Sequence, residues 1–364
     1  MTQTRFHIPS LDGLRAVSIA IVFVSHAGLT AVPGGFGVTV FFFLSGYLIT
    51  TLLRREFAIT GDISLPKFYW RRAWRIFPPM YAALALGVVV SLIGLTPGTP
   101  TVPAVAAQAF HLSNYASLTE LTNGIPLGTH VFWSLAVEEH FYLIFPICAL
   151  FLLRRLSGPA QAAALLGVCG VVLVWRMILV EVFDASVNRT FISTDTRIDA
   201  ILFGCALALH FNPMLDRGPQ LTDRQAIGVA GVSVVVIGVS MVIRDDFYRE
   251  TIRYSVQSIA LAPLFYAAIQ RPNALPFRVL NLRPVMFVGV LSYSLYLVHQ
   301  IVILALINQR PTLGVPEMMV LAGAISLAIA YAFHVVIEKP STRARKRYAA
   351  LPERAETSAP ASLP

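Results

Sequence analysis

An arginine and a histidine interrupt the first apolar segment of the chain, LDGLRAVSIAIVFVSHAG, at Arg15 and His26. Ionisable side chains inside a membrane-length segment are costly, so they indicate a functional site or a buried pair. In an α-helix, positions eleven apart return to within roughly 20° of one direction and lie about 16 Å apart along the axis. One helix is therefore expected to present a cation near one membrane surface and an imidazole near the other.

Two adjacent acids, Glu138 and Glu139, interrupt another apolar segment, HVFWSLAVEEHFYLIFP. Ser134, Glu138 and Tyr142 share a helical face, whereas Glu139 points about 100° away. Glu138 lies roughly 12 Å from the expected helix start, a depth similar to that of His26. A carboxylate that orients an imidazole makes a general base for a hydroxyl group. A structural ion pair or hydrogen bond fits these residues equally well, and both interpretations stay open.

The segment KFYWRRAWRIFPPMY places Arg72 and Arg75 three positions apart on one helical face. Two guanidinium groups at this spacing can clamp a phosphate-bearing ligand, and Trp70 and Trp74 can stack on a planar base. A helix end rich in Trp, Tyr and Arg is equally typical of an anchor at the lipid headgroups. The residues alone do not separate these two interpretations.

A glycine pair opens the second apolar segment, PGGFGVTVFFFLSGYLIT. Gly34 and Gly35 allow a tight turn and a close backbone approach beside His26, where the chain re-enters the membrane. Such a turn can admit a substrate or pack two helices together. Helix packing is the commoner outcome.

Three further polar positions lie within apolar segments. Arg197 and Asp199 stand at the start of the sixth segment, in TDTRIDAILFG. They line an outer cavity or belong to neutralised structural pairs, and we prefer the second interpretation. His299, in YSLYLVHQ, is a second candidate for a catalytic imidazole, although a lone histidine among apolar residues is more often a core residue.

Composition indicates an all-α, polytopic transmembrane helical bundle. Hydrophobic residues make up 56% of the 364 positions and charged residues 13%, with a mean hydropathy of +0.69. About ten spans are expected, at 11–31, 36–53, 77–95, 130–153, 160–181, 197–211, 224–243, 254–270, 284–307 and 315–337. We interpret 102–118 as a re-entrant or interfacial segment, because counting it as a span would separate Arg154 and Arg155 from the basic cluster at 71–75.

The basic loops orient the bundle. Arginines and lysines concentrate after the second, fourth, eighth and tenth spans, so this face and both termini are expected to be cytoplasmic. The net charge of +9 reflects this asymmetry and contact with anionic lipid, not nucleic acid. Residues 341–364 are expected to form a cytoplasmic tail that is basic and then disordered.

Six segments, in order, resemble the bacterial acyltransferase family 3 of integral-membrane O-acyltransferases: LDGLRAVSIAIVFVSHAG, GGFGVTVFFFLSGYLIT, RRAWRIFPPMY, WSLAVEEHFYLIFP, TDTRIDAILFG and YSLYLVHQ. The resemblance covers about 8–340 and implies a membrane acyltransferase domain at 1–340. It also implies a protein of the bacterial inner membrane that transfers an acetyl or other short acyl group from cytoplasmic acyl-CoA to a hydroxyl of an extracytoplasmic carbohydrate or glycosylated lipid or metabolite.

The resemblance carries over residue by residue. The family's first-helix arginine and histidine match Arg15 and His26, its paired arginines match Arg72 and Arg75, and its acid matches Glu138. The remaining matches and neighbouring polar positions are expected to build the acceptor site or outer cavity: Gly34, Gly35, Phe36, Trp133, Ser134, Tyr142, Arg197, Asp199 and His299. The residue after the two acids is commonly Gln in the family and is His140 here, which bears on acceptor contacts.

Together these features predict a transfer path along the first helix. Arg72 and Arg75, with Arg15, hold the acyl-CoA phosphates, and the pantetheine arm delivers the thioester to His26. His26, oriented by Glu138, takes the hydroxyl proton; a covalent acyl-enzyme on His26 or Tyr142 is an open variant. No metal and no permanently bound cofactor is expected, and acyl-CoA is a co-substrate.

Two other classes compete with an enzyme. A multi-pass transporter or flippase of a polar envelope precursor would also place charges at mid-depth, but the halves show no convincing repeat. A lipid-binding scaffold explains the basic loops but not Arg15, His26 and Glu138 together. The sequence does not specify the acceptor, the acyl chain or the oligomeric state.

Overall fold

The computed structural model describes residues 8–348, and within that range the secondary structure is helical, with no β-strand. The α-helices of this range, in chain order, are α1 Leu11–His26, α2 Gly34–Thr60, α3 Leu65–Leu92, α4 Val102–Ala109, α5 Ser113–Ala116, α6 Trp133–Arg155, α7 Gly158–Glu181, α8 Val187–Ile192, α9 Thr194–Leu209, α10 Asp223–Val242, α11 Asp246–Glu250, α12 Ile252–Gln270, α13 Arg283–Gln309, α14 Val315–Phe333 and α15 Lys339–Tyr348. Short 3₁₀-helices at Glu120–Gly124, His130–Phe132 and Phe277–Asn281 and a π-helix at His334–Glu338 complete this set. The all-α prediction is confirmed for the described residues.

Seven helices of the described range are long and apolar enough to cross a membrane: α2, α3, α6, α7, α10, α13 and α14. The chain is thus a multi-pass helical membrane protein. The other three expected spans correspond to α1, α9 and α12, which are helical but do not meet these criteria. With 16 residues each, α1 and α9 are shorter than the ~20 residues that cross a bilayer without help. Ten crossings and cytoplasmic termini stay predictions.

The segment at 102–118 forms two short helices, α4 and α5, neither of which is long enough to span. An ion pair bears on the same question: Arg154 Nη2, at the end of α6, lies 2.9 Å from Asp62 Oδ1 in the connection between α2 and α3. The basic end of α6 therefore lies at the same end of the bundle as the start of α3. The interpretation of 102–118 as a re-entrant or interfacial segment requires this arrangement, because it keeps the two basic clusters at one end of the bundle.

Helix α2 is the centre of the bundle, in contact with α1, α6, α9 and α12. Its closest approach is to α9, where a Cβ atom on Gly46 would collide with the Ile201 carbonyl and one on Gly204 with the Phe43 carbonyl. Paired small residues let two helix backbones approach closely, as is common inside membranes. On its other side, α1 packs along α13, which brings the first apolar segment against YSLYLVHQ.

The expected tail begins within the described residues and ends outside them. Helix α15 covers the basic stretch Lys339–Tyr348 and packs against α3. Residues 349–364, where disorder is expected, lie outside the described residues.

Candidate active site

The three arginines of the predicted ligand clamp line one pocket. Arg15 reaches it from α1, and Arg72 and Arg75 reach it from α3. Its free volume of about 90 Å³ compares with the 10–15 Å³ that one water needs, so it has room for more than a few solvent molecules. The lining contains three arginines and one carboxylate, that of Glu138, so its net charge is positive.

Two of these arginines lack a close counter-ion. Arg15 Nη1 lies 3.0 Å from Asp12 Oδ1. Within the described part of the chain, by contrast, neither Arg72 nor Arg75 has a carboxylate oxygen within 4.0 Å. The Arg72 guanidinium stands 5.0 Å from the centre of the Tyr142 ring, a cation–π contact that leaves its N–H groups available. Such groups are suited to an anionic ligand.

Glu138 belongs to this arginine pocket and not to His26. Its Oε1 accepts a hydrogen bond from Ser45 Oγ at 2.8 Å, and its Oε2 accepts one from the Tyr142 hydroxyl at 3.1 Å. The predicted contact between Glu138 and His26 is wrong, because both carboxylate oxygens of Glu138 bond to other side chains and Nδ1 of His26 bonds to His299. Equal depth along two helices does not fix which faces of those helices meet.

His26 pairs with His299. Nδ1 of His26 lies 2.8 Å from Nε2 of His299, and the two ring planes are parallel to within 1°. His299 is fully buried on α13, and its Nδ1 lies 2.7 Å from the Tyr296 carbonyl oxygen. His299 is thus the hydrogen-bonded core residue that its setting predicts, and it also holds the candidate base.

Tyr296 forms the wall between the arginine pocket and the histidine pair. Its ring lines the pocket and lies 5.6 Å, centre to centre, from the ring of His299. Its hydroxyl is fixed 2.7 Å from Ser134 Oγ and donates to the Val131 carbonyl at 3.0 Å. The two groups of candidate residues are therefore neighbours separated by one side chain.

The glycine turn packs helices. A Cβ atom on Gly34 would lie 2.8 Å from Ser25 Oγ, and one on Gly35 would lie 2.9 Å from the Phe191 ring. Phe36 packs against the cluster around Phe43 and Phe265. None of the three lines the arginine pocket, and their part in an acceptor cavity stays a prediction.

Arg197 is enclosed by aromatic rings. Its guanidinium carbon lies 4.0 Å from the Tyr254 ring centre, 5.3 Å from that of Phe191 and 5.9 Å from that of Trp133. The side chain is fully buried, and Nη2 donates to Thr39 Oγ1 at 3.0 Å. Trp133 and Arg197 thus belong to the packing between α2, α6 and α9 and not to the lining of the arginine pocket.

Asp199 forms a buried ion pair with Arg176, whose Nη2 lies 2.8 Å from its Oδ2, and both side chains are fully buried. Ser255 Oγ donates to the same carboxylate at 3.0 Å. The preferred interpretation of Asp199 as part of a structural pair agrees with this contact, but its partner is Arg176 on α7.

Removing one member of this buried pair is expected to destabilise the fold. Arg176→Leu should lower the free energy of unfolding by about 3–5 kcal/mol, because Asp199 would keep a buried, uncompensated charge. Titration with SDS in mixed micelles measures the change. Arg189→Leu is the matched control: its partner Asp195 is partly exposed, and about 0–1 kcal/mol is expected there. Equal losses in the two variants would contradict the prediction.

A family model described as an acyltransferase domain, acyltransferase 3, matches residues 8–338. The chain belongs to the acyltransferase 3 family. This match confirms the resemblance carried by the six sequence segments, over nearly the same range. No solved structure matches the chain.

Relatives in the acyltransferase 3 family include O-acetyltransferase OatA of Staphylococcus aureus (strain NCTC 8325 / PS 47), 30% identical over 96% of this chain and 59% of the relative. Peptidoglycan O-acetyltransferase OatA of Listeria monocytogenes is 29% identical over 81% of this chain and 49% of its own length. A putative O-acetyltransferase of S. aureus strain COL is 29% identical, over 82% and 51%. The chain spans between 49% and 59% of the length of these relatives.

In this member of the acyltransferase 3 family, four polar side chains of the arginine pocket were not identified from the sequence: Ser45, Ser292, Tyr293 and Tyr296. Tyr293, Tyr296 and His299 recur every three residues and so share one face of α13, a periodicity that could have identified the tyrosines. Ser45 lies among phenylalanines and leucines in FFFLSGYL and gives no comparable signal.

Proposed function

We propose that this protein is a membrane O-acyltransferase that moves an acetyl or other short acyl group from cytoplasmic acyl-CoA to a hydroxyl of an extracytoplasmic carbohydrate or glycosylated lipid or metabolite. The family supports the reaction class. The relatives' names, O-acetyltransferase and peptidoglycan O-acetyltransferase, support acetyl as the group and a cell-envelope glycan as the acceptor.

One observation carries this proposal: three arginines converge on a pocket whose far wall, Tyr296, abuts the histidine pair. The unpaired guanidinium groups of Arg72 and Arg75 suit the phosphates of CoA, and bidentate contacts hold such groups at an interface. Arg15 and His26 lie on one helix about 16 Å apart, a distance that a pantetheine arm bridges. Donor binding and hydroxyl activation thus have separate, adjoining places.

The proposed reaction is a direct transfer. Nε2 of His26 accepts the proton of the acceptor hydroxyl as its oxygen attacks the thioester carbonyl. The carbon–sulfur bond then breaks, and His26 returns the proton to the thiolate, so that the products are the ester and free CoA thiol. Glu138 stays in the arginine pocket, where it holds Ser45 and Tyr142 beside the donor.

Label transfer tests the proposal. The purified protein in proteoliposomes is incubated with [¹⁴C]acetyl-CoA and soluble muropeptides, with acceptor-independent thiol release recorded in parallel. We expect labelled ester and thiol release above that of protein-free vesicles. Failure to consume acetyl-CoA with either muropeptides or water as acceptor, in a folded preparation, would overturn the assignment of acyl-CoA as donor.

A further inference from the structure

We propose that His299 is the positioning residue of His26: it fixes the tautomer and the ring plane in which Nε2 of His26 works as the base. The inference rests on the proposed function and adds to it a residue that does not touch the substrate. It stands on the hydrogen bonds and the geometry of the two imidazoles.

The hydrogen-bond pattern assigns the tautomers. Nδ1 of His299 lies 2.7 Å from the carbonyl oxygen of Tyr296, which only accepts, so this nitrogen carries the proton. In a neutral ring Nε2 of His299 then has the free lone pair. Nδ1 of His26, 2.8 Å away, must donate to it. The free lone pair of neutral His26 is left on Nε2.

Ring geometry supports a directed hydrogen bond. The ring centres are 5.1 Å apart, whereas the two bonded nitrogens are 2.8 Å apart, and the ring planes are parallel to within 1°. The imidazoles therefore meet edge to edge and not face to face, so the lone pair of His299 points along the N–H bond of His26. His299 itself is fully buried between Phe23 and Tyr296, which restrains its ring.

This arrangement serves the proton transfer. When Nε2 of His26 takes the hydroxyl proton, the ring becomes a cation and its Nδ1–H becomes a stronger donor to His299. His299 keeps its own proton on the Tyr296 carbonyl and need not change its protonation state. Within the described residues His299 thus does for His26 what a carboxylate does in other catalytic pairs, the role for which sequence reasoning proposed Glu138.

Two amide substitutions separate the positioning role from a structural one. The amide of His299→Asn lies where Nδ1 lies and can still donate to the Tyr296 carbonyl, but it offers no acceptor to His26. The longer His299→Gln places its amide oxygen where Nε2 lies. We expect kcat for transfer from acetyl-CoA to fall about 10- to 100-fold in His299→Asn and to recover most of that loss in His299→Gln, with KM for acetyl-CoA unchanged in both.

Controls make the outcomes distinct. His210→Leu, directly after the end of α9, should keep wild-type kcat. Equal kcat in His299→Asn and His299→Gln, in preparations where His26→Ala lowers kcat as expected, would overturn the positioning role. Wild-type protein that releases no CoA thiol would instead overturn the proposed function. If either amide variant fails to fold, His299→Ala is assayed with added imidazole: restored kcat supports the inference, and unrestored kcat contradicts it.

Discussion

His26→Ala is expected to lower kcat for acyl transfer from acetyl-CoA by about 10²- to 10⁴-fold, the usual contribution of a general base. The methyl side chain cannot accept the hydroxyl proton, so the acceptor would attack without deprotonation. KM for acetyl-CoA should change little, because His26 does not line the arginine pocket. Release of CoA thiol and label transfer by proteoliposomes measure both parameters.

A second histidine provides the control for this prediction. His334 bonds to Glu338 within a π-helix, with 2.8 Å between Nδ1 and Oε2, and it does not line the arginine pocket. His334→Ala should therefore keep wild-type kcat. A folded His26→Ala variant with wild-type kcat would show that another group activates the hydroxyl, and Glu138 would then be the first alternative.

The sequence identified polar candidates within single helices, but it predicted less well which of them meet across helices. Arg15, Arg72 and Arg75 were expected together and do share a pocket. The pairing of His26 with Glu138 failed because helical periodicity gives depth and direction within one helix but not the rotation between two. Lateral neighbours depend on packing: α1 lies along α13, so His26 meets His299.

Hydropathy likewise identified helices better than membrane crossings. All ten expected spans contain a helix, but α9 carries Arg197 and Asp199 in its first two turns and is surrounded by α2, α7 and α12. A helix buried among other helices can hold charged groups that are paired within the protein. These groups lower its mean hydropathy, so hydropathy alone does not show how deeply the helix lies. Buried pairs such as Arg176 with Asp199 join different helices, so no single segment reveals them.

Loss of either unpaired arginine of α3 is expected to weaken donor binding. Arg72→Gln and Arg75→Gln should each raise KM for acetyl-CoA about 10- to 100-fold, because a charge-assisted hydrogen bond contributes about 1.5–3 kcal/mol and each 1.4 kcal/mol is tenfold. The double variant should show the largest effect. Steady-state kinetics with acetyl-CoA as the varied substrate measure the change, and kcat should fall much less.

The adjacent Arg71 is the matched control, because it has the same side chain on the same helix but is neutralised by Glu56, with 2.7 Å between Nη2 and Oε2. Arg71→Gln should keep KM for acetyl-CoA within about twofold.

Acetylpantetheine, which lacks the nucleotide phosphates of CoA, provides a second comparison: Arg72 and Arg75 variants should use it as well as the wild type does. If the two arginines instead anchor lipid headgroups, the KM of their variants for acetyl-CoA would equal that of the wild type. A defect that persists with acetylpantetheine would place the arginines at the thioester, and only a defect confined to the phosphate-bearing donor supports the clamp.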